Sequence, residues 1–323
     1  LPTLQITGTN GKTTTKELVA AVLSEKYKVL FTQGNFNNHI GVPKTLLRLR
    51  PNREIAIIET GANHPGEIAA LSNIVQPDFG LITNVGKAHL EGFGSFEGVV
   101  NTKGELYDFL RRKPGGSIFL NADNEHLCGI AAGLPAETYG LPGKGYDVEG
   151  EAVRCAPFLE LRWRPKGGEW QEVKTQLIGA YNATNALAAA AVGLHFSNTP
   201  EQITHARTHY CPTNNRSELK RTERNTLVVD AYNANPTSMQ AALYNFALME
   251  GSAKLAILGE MRELGEASAE EHEKVAQQAC ALAGTEVWFV GKNFAPFAPN
   301  FPHFDDVAAV KAHLQQHPQT GRL

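Results

Sequence analysis

The opening of the chain constrains the fold more than any other stretch. An apolar run, Leu4-Gln5-Ile6-Thr7, passes directly into Gly8-Thr9-Asn10-Gly11-Lys12-Thr13-Thr14, and a helical pattern follows over Thr13–Ser24. Glycines at that spacing let the backbone curl until its N–H groups converge on one anion, reinforced by the helix N-terminus. Lys12 is then placed to neutralise the β- and γ-phosphates of a nucleotide, and the Thr13 hydroxyl to ligate Mg²⁺. Gly8, Thr9, Asn10, Gly11, Lys12, Thr13 and Thr14 are therefore candidate ATP-binding residues. A strict Walker pattern asks for glycine where this chain has Ile6, so an ordinary glycine turn is the competing reading.

A strand–loop–helix of this kind belongs in an α/β frame, and the pattern downstream supplies one. Lys28–Phe31, Glu54–Glu59, Gly80–Thr83 and Ser117–Leu120 read as buried strands, separated by helical patterns near Val42–Leu49, Gly66–Ile74 and Phe96–Leu110. That alternation predicts a P-loop-type, mostly parallel sheet with helices on both faces. Phe158–Arg164 and Trp170–Thr175 flank Gly167-Gly168 and read as an antiparallel hairpin appended to the sheet. Ala-rich Asn182–Leu194 reads as a packed helix. A second, smaller Rossmann-like α/β unit is expected after Pro212, with strands at Thr226–Asp230, Lys254–Leu258 and Glu286–Val290 and helices near Ser238–Met249 and Ala269–Ala283. This gives two units, 1–212 and 213–323, hinged at Thr213-Asn214-Asn215-Arg216. The tail from His303 to His317 reads as a solvated helix.

Charge and cysteine usage narrow the function. With 30 basic against 33 acidic residues and no block of like charge, a general nucleic-acid or membrane surface is not expected. No apolar run approaches the ~20 residues that span a bilayer. The widely spaced Cys128, Cys155, Cys211 and Cys280 suit a reducing cytoplasm better than a disulfide framework or zinc site. The chain opens without Met at Leu1 and closes on Gly321-Arg322-Leu323, and is read as part of a longer protein acting as a monomer.

Thr7-Gly8-Thr9-Asn10-Gly11-Lys12-Thr13-Thr14 resembles the shortened nucleotide loop of the Mur ligases and folylpolyglutamate synthases. Four further blocks, Gly34–Pro43, Glu59–Glu67, Asp230–Pro236 and Leu258–Gly265, resemble the Mur branch that adds D-alanyl-D-alanine to a UDP-N-acetylmuramoyl-tripeptide. The resemblance runs through nearly the whole chain, and it implies a central ATP-binding unit and a C-terminal ligase unit, with the family's N-terminal UDP-binding domain absent from this sequence.

The resemblance also distributes roles. Glu59 closes a buried strand at the edge where α/β sheets bind ligands, so it is a candidate Mg²⁺ ligand beside Thr13, against the plainer reading of a capping acid. By resemblance alone, His89 ligates a second Mg²⁺, and Lys103 is carbamylated by CO₂ into an anionic oxygen ligand. That chemistry needs a neutral amine, hence a pKa lowered by burial or neighbouring cations. Asn182 and Asn185, three apart on one helix face, are candidates for reading adenine, with helix capping as the alternative. Relatives carry a histidine near Tyr181, a departure that leaves the stacking contact open. Arg216 and Asp230 match positions that reach the phosphates and the ribose. Asn35, Asn37, Asn38, Asn63, His64, Tyr232, Asn233 and Asn235 are candidate substrate contacts, although asparagine also favours turns on its own account.

The implied reaction converts a carboxylate to an acyl phosphate with ATP and then to an amide, by alignment and charge neutralisation through Lys12, Arg216 and two Mg²⁺ ions. Three alternatives stay open: a sibling Mur or folylpolyglutamate-type ligase, a P-loop kinase or NTPase, and a nucleotide-binding piece with little turnover.

Overall fold

Near-continuous apolar strands separated by amphipathic helices can bury both faces of a sheet only if the helices cross over it. The computed structural model describes residues 1–212, 218–230, 232–251 and 253–323, and its first unit follows that rule. In chain order it runs β1 (Thr3–Thr7), α1 (Lys12–Ser24), β2 (Val29–Phe31), α2 (Gly41–Leu46), β3 (Ile55–Glu59) and α3 (Glu67–Val75). There follow β4 (Phe79–Ile82), α4 (Leu90–Phe93), α5 (Phe96–Arg112), β5 (Ser117–Asn121), α6 (Glu125–Ile130) and β6 (Ala136–Gly140). The unit closes with β7 (Val148–Arg154), β8 (Glu160–Pro165), β9 (Gln171–Lys174), α7 (Asn182–His195) and α8 (Pro200–His209).

Among the described residues these nine strands form one sheet, in the order β2-β3-β1-β4-β5-β6-β7-β8-β9. Pairing is parallel from β2 through β7 and antiparallel across β7-β8-β9. The appended hairpin is therefore present, turning at Gly167 with φ 70°. The strands β6 and β7 that join it to the parallel core were not anticipated. In β7, Val-Glu-Gly-Glu-Ala carries too much charge to read as a buried strand, yet Glu149 is buried because Arg164 on β8 pairs with it at 2.8 Å.

Successive residues of the central strands feed opposite cores. Ile57 and Leu81 pack beneath α1 and the alanines of α7, whereas Ile58 packs with α2 and α3, and Ile82 with α5. With β1 lying between β3 and β4, the chain leaves the middle of the sheet in opposite directions. The crevice at the carboxyl ends of β1, β3 and β4 is where such sheets hold ligands.

The second unit runs β10 (Glu218–Arg221), β11 (Thr226–Val229), α9 (Pro236–Leu248), β12 (Lys254–Gly259), α10 (Ser268–Cys280), β13 (Thr285–Val290), β14 (His303–Phe304) and α11 (Val307–Gln316). Its expected strands divide between two sheets, an antiparallel β10-β11 ribbon and a parallel β12-β13-β14 sheet. Residues 321–323 bridge them: Thr226 N–H donates to the Arg322 carbonyl, and Leu255 N–H to that of Leu323, both at 2.9 Å. The expected single tail helix is a strand followed by a helix. Trp288 and Val290 leave an apolar face on β13 that needs cover, and Val310 of α11 buries itself there. The anticipated hinge at 213–216 lies outside the described residues.

Candidate functional site

The turn after β1 is held by glycine geometry. Gly8 adopts φ +144°, and a Cβ there would lie 2.0 Å from the Thr83 hydroxyl oxygen. Gly11 adopts φ +76°, with Asn185 Oδ1 2.7 Å from where its Cβ would stand. The loop is then braced by the end of β4, a support that sequence reading missed. Thr9 N–H donates to the Asn84 carbonyl, Asn10 N–H to Asn84 Oδ1 at 2.9 Å, and the Thr83 hydroxyl to the Asn10 carbonyl at 2.6 Å. The available signal was two polar residues directly after an apolar strand at the ligand edge of the sheet. Lys12 curls back over the loop, its ammonium donating to the carbonyls of Gly8 and Thr9 at 2.8 and 2.9 Å.

Beneath the loop, Glu59 at the end of β3 is fully buried. Its Oε1 accepts from the Thr13 hydroxyl at 3.1 Å and from Asn37 Nδ2 at 2.9 Å, while Oε2 has no hydrogen-bond partner. A buried carboxylate oxygen left without a donor is costly. A cation held jointly by Glu59 and Thr13 removes that cost, so the donor set fits a magnesium ion that takes its remaining oxygens from phosphate and water. Among the described residues no cluster of three or more His, Cys, Asp or Glu side chains could hold a metal unaided.

Lys103, on α5, is 2% exposed. Its ammonium donates to the Ala62 carbonyl at 3.4 Å and sits 5.2 Å over the Phe93 ring. Burial, then the charge of Lys12, drives its pKa from 10.5 to about 7, with Glu67 and Glu105 opposing. Those acids have structural work as well. Glu67 accepts from the backbone of Asn63 and His64, and Glu105 from that of Gly66 and Ala69, fixing the turn after β3. His89 stands edge-on to Phe93 with its Nδ1 bonded to Glu263 of the second unit. Its pKa falls below the ordinary histidine value, mainly through burial, with Lys12 and Lys103 adding to the effect and Glu263 opposing.

The loop with Lys12, and His89, border a cleft of about 690 Å³ that both units line. From the first unit come Thr9, Asn10, Gly11, Lys12, Thr14, Asn37, Asn38, Asn63 and His89, together with Asn182 and Asn185 of α7. Asp230, Tyr232, Asn233 and Asn235 face them from the second unit. Asn235 caps α9 by accepting from Ser238 N–H, and it exchanges two amide hydrogen bonds with Asn10, at 2.8 and 3.3 Å. Among the expected substrate contacts, Asn35 and His64 are exposed and do not line the cleft. Asn38 does line it, but its Oδ1 also accepts from the backbone N–H groups of Ile40 and Gly41. Asn182 and Asn185 are buried and engaged: Asn185 donates to Asn182 and accepts from Thr15, and Asn182 donates to the Ile178 carbonyl. Neither caps α7 with its side chain. Arg216 lies outside the described residues.

Known proteins resemble the chain along most of its length. Residues 6–193 match the Mur ligase middle domain, and residues 215–319 the Mur ligase, glutamate ligase domain. The chain is 38% identical to a UDP-N-acetylmuramoyl-tripeptide–D-alanyl-D-alanine ligase of Bacillus subtilis, over 81% of this chain and 56% of that protein. With the Escherichia coli protein of the same name it shares 36% identity over 96% of this chain and 70% of that one. Among solved structures it resembles MurF from Acinetobacter baumannii, with a TM-score of 0.88 at 30% identity, covering 99% of this chain and 72% of that one. MurF ligase from Thermotoga maritima in complex with ADP gives 0.86 at 25% identity, covering 99% and 74%. The chain spans 56–58% of the length of several curated relatives it matches.

Proposed function

The chain belongs to the Mur ligase family, and on that premise we propose that it is the ATP-binding core of a ligase joining D-alanyl-D-alanine to a UDP-N-acetylmuramoyl-tripeptide. The observation that carries the reading is a phosphate loop lining a cleft between the units, with the buried Glu59 carboxylate beneath it bonded to Thr13 and Asn37 and its second oxygen without a hydrogen-bond partner. The relatives named for this reaction support the choice of substrates.

In this reading the substrate carboxylate attacks the γ-phosphorus of ATP, giving an acyl phosphate and ADP. The amine of D-alanyl-D-alanine then attacks the acyl carbon and phosphate leaves, forming the C–N bond. Lys12 and the amides of Gly8–Thr14 hold the β- and γ-phosphates. Thr13 and Glu59 would hold one magnesium ion, and His89 with Lys103, were it carbamylated to N6-carboxylysine, a second; such ions would neutralise phosphate charge. An unmodified Lys103 cannot act as an oxygen ligand, but an amine with a pKa near 7 is largely neutral at cytoplasmic pH and open to CO₂. Asp230 accepts from the ribose hydroxyls and Arg216 engages the phosphates. Asn182 and Asn185 border the adenine, their amides exchanging internal bonds for base contacts. Asn37, Asn38, Asn63, Tyr232, Asn233 and Asn235 flank the acceptor side, and Asn35 and His64 reach it only with loop movement. The ATP-binding and ligase units divide at 212/213.

The test is calorimetric titration with Mg-ADP, together with an ADP-release assay run with and without D-alanyl-D-alanine and the tripeptide precursor. The reading expects binding that Lys12→Ala and Thr13→Ala abolish, and ADP release that requires the amine. Unchanged affinity in both variants overturns the nucleotide site. ADP release indifferent to the amine favours an NTPase instead.

A further inference from the structure

Three polar groups beyond β4 converge on a single residue of the phosphate loop. The strands β1 and β4 pair as far as Thr7 opposite Ile82, and Thr83 N–H extends the ladder to the Thr7 carbonyl at 2.9 Å. Past that point side chains take over. Asn84 Oδ1 accepts from Asn10 N–H at 2.9 Å, and Asn84 Nδ2 donates to the Asn10 carbonyl at 3.0 Å. One side-chain amide thus meets both backbone polar groups of one residue, and only this orientation of its oxygen and nitrogen makes both bonds. The Thr83 hydroxyl donates to the same carbonyl at 2.6 Å, so the Asn10 oxygen accepts from two donors. Gly86 N–H donates to the Thr9 hydroxyl at 3.0 Å and ties the preceding residue to the same segment.

The peptide so held, between Asn10 and Gly11, is the one in the loop with the most freedom to turn. Its rotation changes φ of the following residue, and glycine takes either sign of φ at little cost. Here Gly11 stands at φ +76°. In a planar trans peptide the carbonyl and the N–H point in opposite directions. Drawing the Asn10 oxygen onto the end of β4 therefore turns the Gly11 N–H the other way. We propose that Thr83 and Asn84 are positioning residues that lock this peptide with its N–H toward the bound phosphate and its oxygen away from it. The inference rests on the reading of the loop as a nucleotide site and deepens it. A flipped peptide would set a carbonyl oxygen against the phosphate in place of a donor, exchanging attraction for repulsion. Lys12 already draws the Gly8 and Thr9 carbonyls to itself, and Thr83 with Asn84 does the same for the next one along. Asn84 is half-buried at the edge of the cleft, where water can satisfy the same groups, so the clamp sets direction more than stability. Asn10 itself is then the anchor of the loop, with its N–H on Asn84 and its side chain on Asn235 of the second unit.

The experiment uses the full chain labelled with ¹⁵N, with amide hydrogen exchange followed residue by residue in the presence and absence of Mg-ADP. The Asn10 amide is expected to exchange slowly in both conditions, and the Gly11 amide to be slowed only by Mg-ADP. Thr83→Val, which keeps the shape of the side chain, and Asn84→Ala are each expected to weaken Mg-ADP binding by roughly 10-fold, with no matching fall in Tm of the nucleotide-free protein. Thr83→Ser keeps the hydroxyl and is expected to bind as the parent does. An Asn10 amide protected only when Mg-ADP is present overturns the proposal, because its N–H would then serve the ligand. So does a Gly11 amide that Mg-ADP leaves unprotected, or an equal loss of affinity in Thr83→Ser and Thr83→Val. A lowered Tm with Mg-ADP affinity intact assigns the clamp a structural role and overturns it as well. Should either variant fail to fold, the exchange pattern of the parent decides. A parent that binds no Mg-ADP at all refutes the nucleotide reading itself, a result distinct from any of these.

Discussion

Replacing Lys103 by methionine should stabilise the protein at pH 6 and do progressively less as the pH rises. Lys103 is almost completely buried, with one long hydrogen bond to Ala62 and no carboxylate in contact. Its pKa falls from 10.5 to about 7. At roughly 1.4 kcal/mol for each tenfold change, holding the protonated amine there costs on the order of 5 kcal/mol. Below pH 7 the lysine is protonated both folded and unfolded, so the native state bears that cost in full. Between about 7 and 10.5 the unfolded chain binds a proton that the native protein does not, and stability rises with pH by about 1.4 kcal/mol per pH unit. Methionine keeps the length of the side chain and removes the charge, so little packing is lost. The assay is urea denaturation of both proteins from pH 6 to 9 in CO₂-free buffers, where the difference between the two curves cancels the titrating groups that do not sense the Lys103 charge. The variant should be several kcal/mol more stable at pH 6, and the gap should narrow steadily above pH 7. Parallel curves would refute the reasoning, because they would mean that Lys103 titrates alike in both states. The same quantity bears on carbamylation. At pH 7.5 an ordinary lysine is neutral about once in a thousand molecules and Lys103 about three times in four. ¹³C-bicarbonate should therefore yield a carbamate carbonyl signal that disappears in the variant.

Glu59→Gln should leave the fold intact and weaken Mg-ADP binding, since a charge-assisted contact is worth about 1.5–3 kcal/mol, or roughly 10- to 100-fold in Kd. Titration of ADP without magnesium should show no comparable loss, and equal losses in both titrations would remove Glu59 from the cation site. Gly8→Ala places a Cβ 2.0 Å from the Thr83 hydroxyl oxygen and 3.1 Å from its backbone nitrogen, at φ +144°. It should cost about 1–3 kcal/mol in strain and abolish ADP binding. An alanine variant that binds ADP as the parent does would show that the loop relaxes freely.

What could be read in the sequence, and what could not, divides along a physical line. The phosphate loop, the parallel strands and the crossover helices are local: each is written in a short stretch whose periodicity or glycine spacing allows one solution. Glu59 was legible for the same reason, as a carboxylate ending a buried strand at the ligand edge. The strands β6 and β7 were not, because their burial depends on partners elsewhere in the chain, such as Arg164 for Glu149. Lys103 shows this dependence at the site itself. Its own stretch, Asn101-Thr102-Lys103-Gly104-Glu105, reads as a solvated helix face, and only the packing of α5 brings its amine over Phe93 and within the field of Lys12. The bond between His89 and Glu263 is more remote still, spanning 174 positions and two cores. No periodicity carries such information. It arises when two left-handed residues, each fixed by its own unit, face one another across the cleft. That contact is therefore set by docking of the two units, whereas the turn after β1 is set by its own glycines and the residues that end β4.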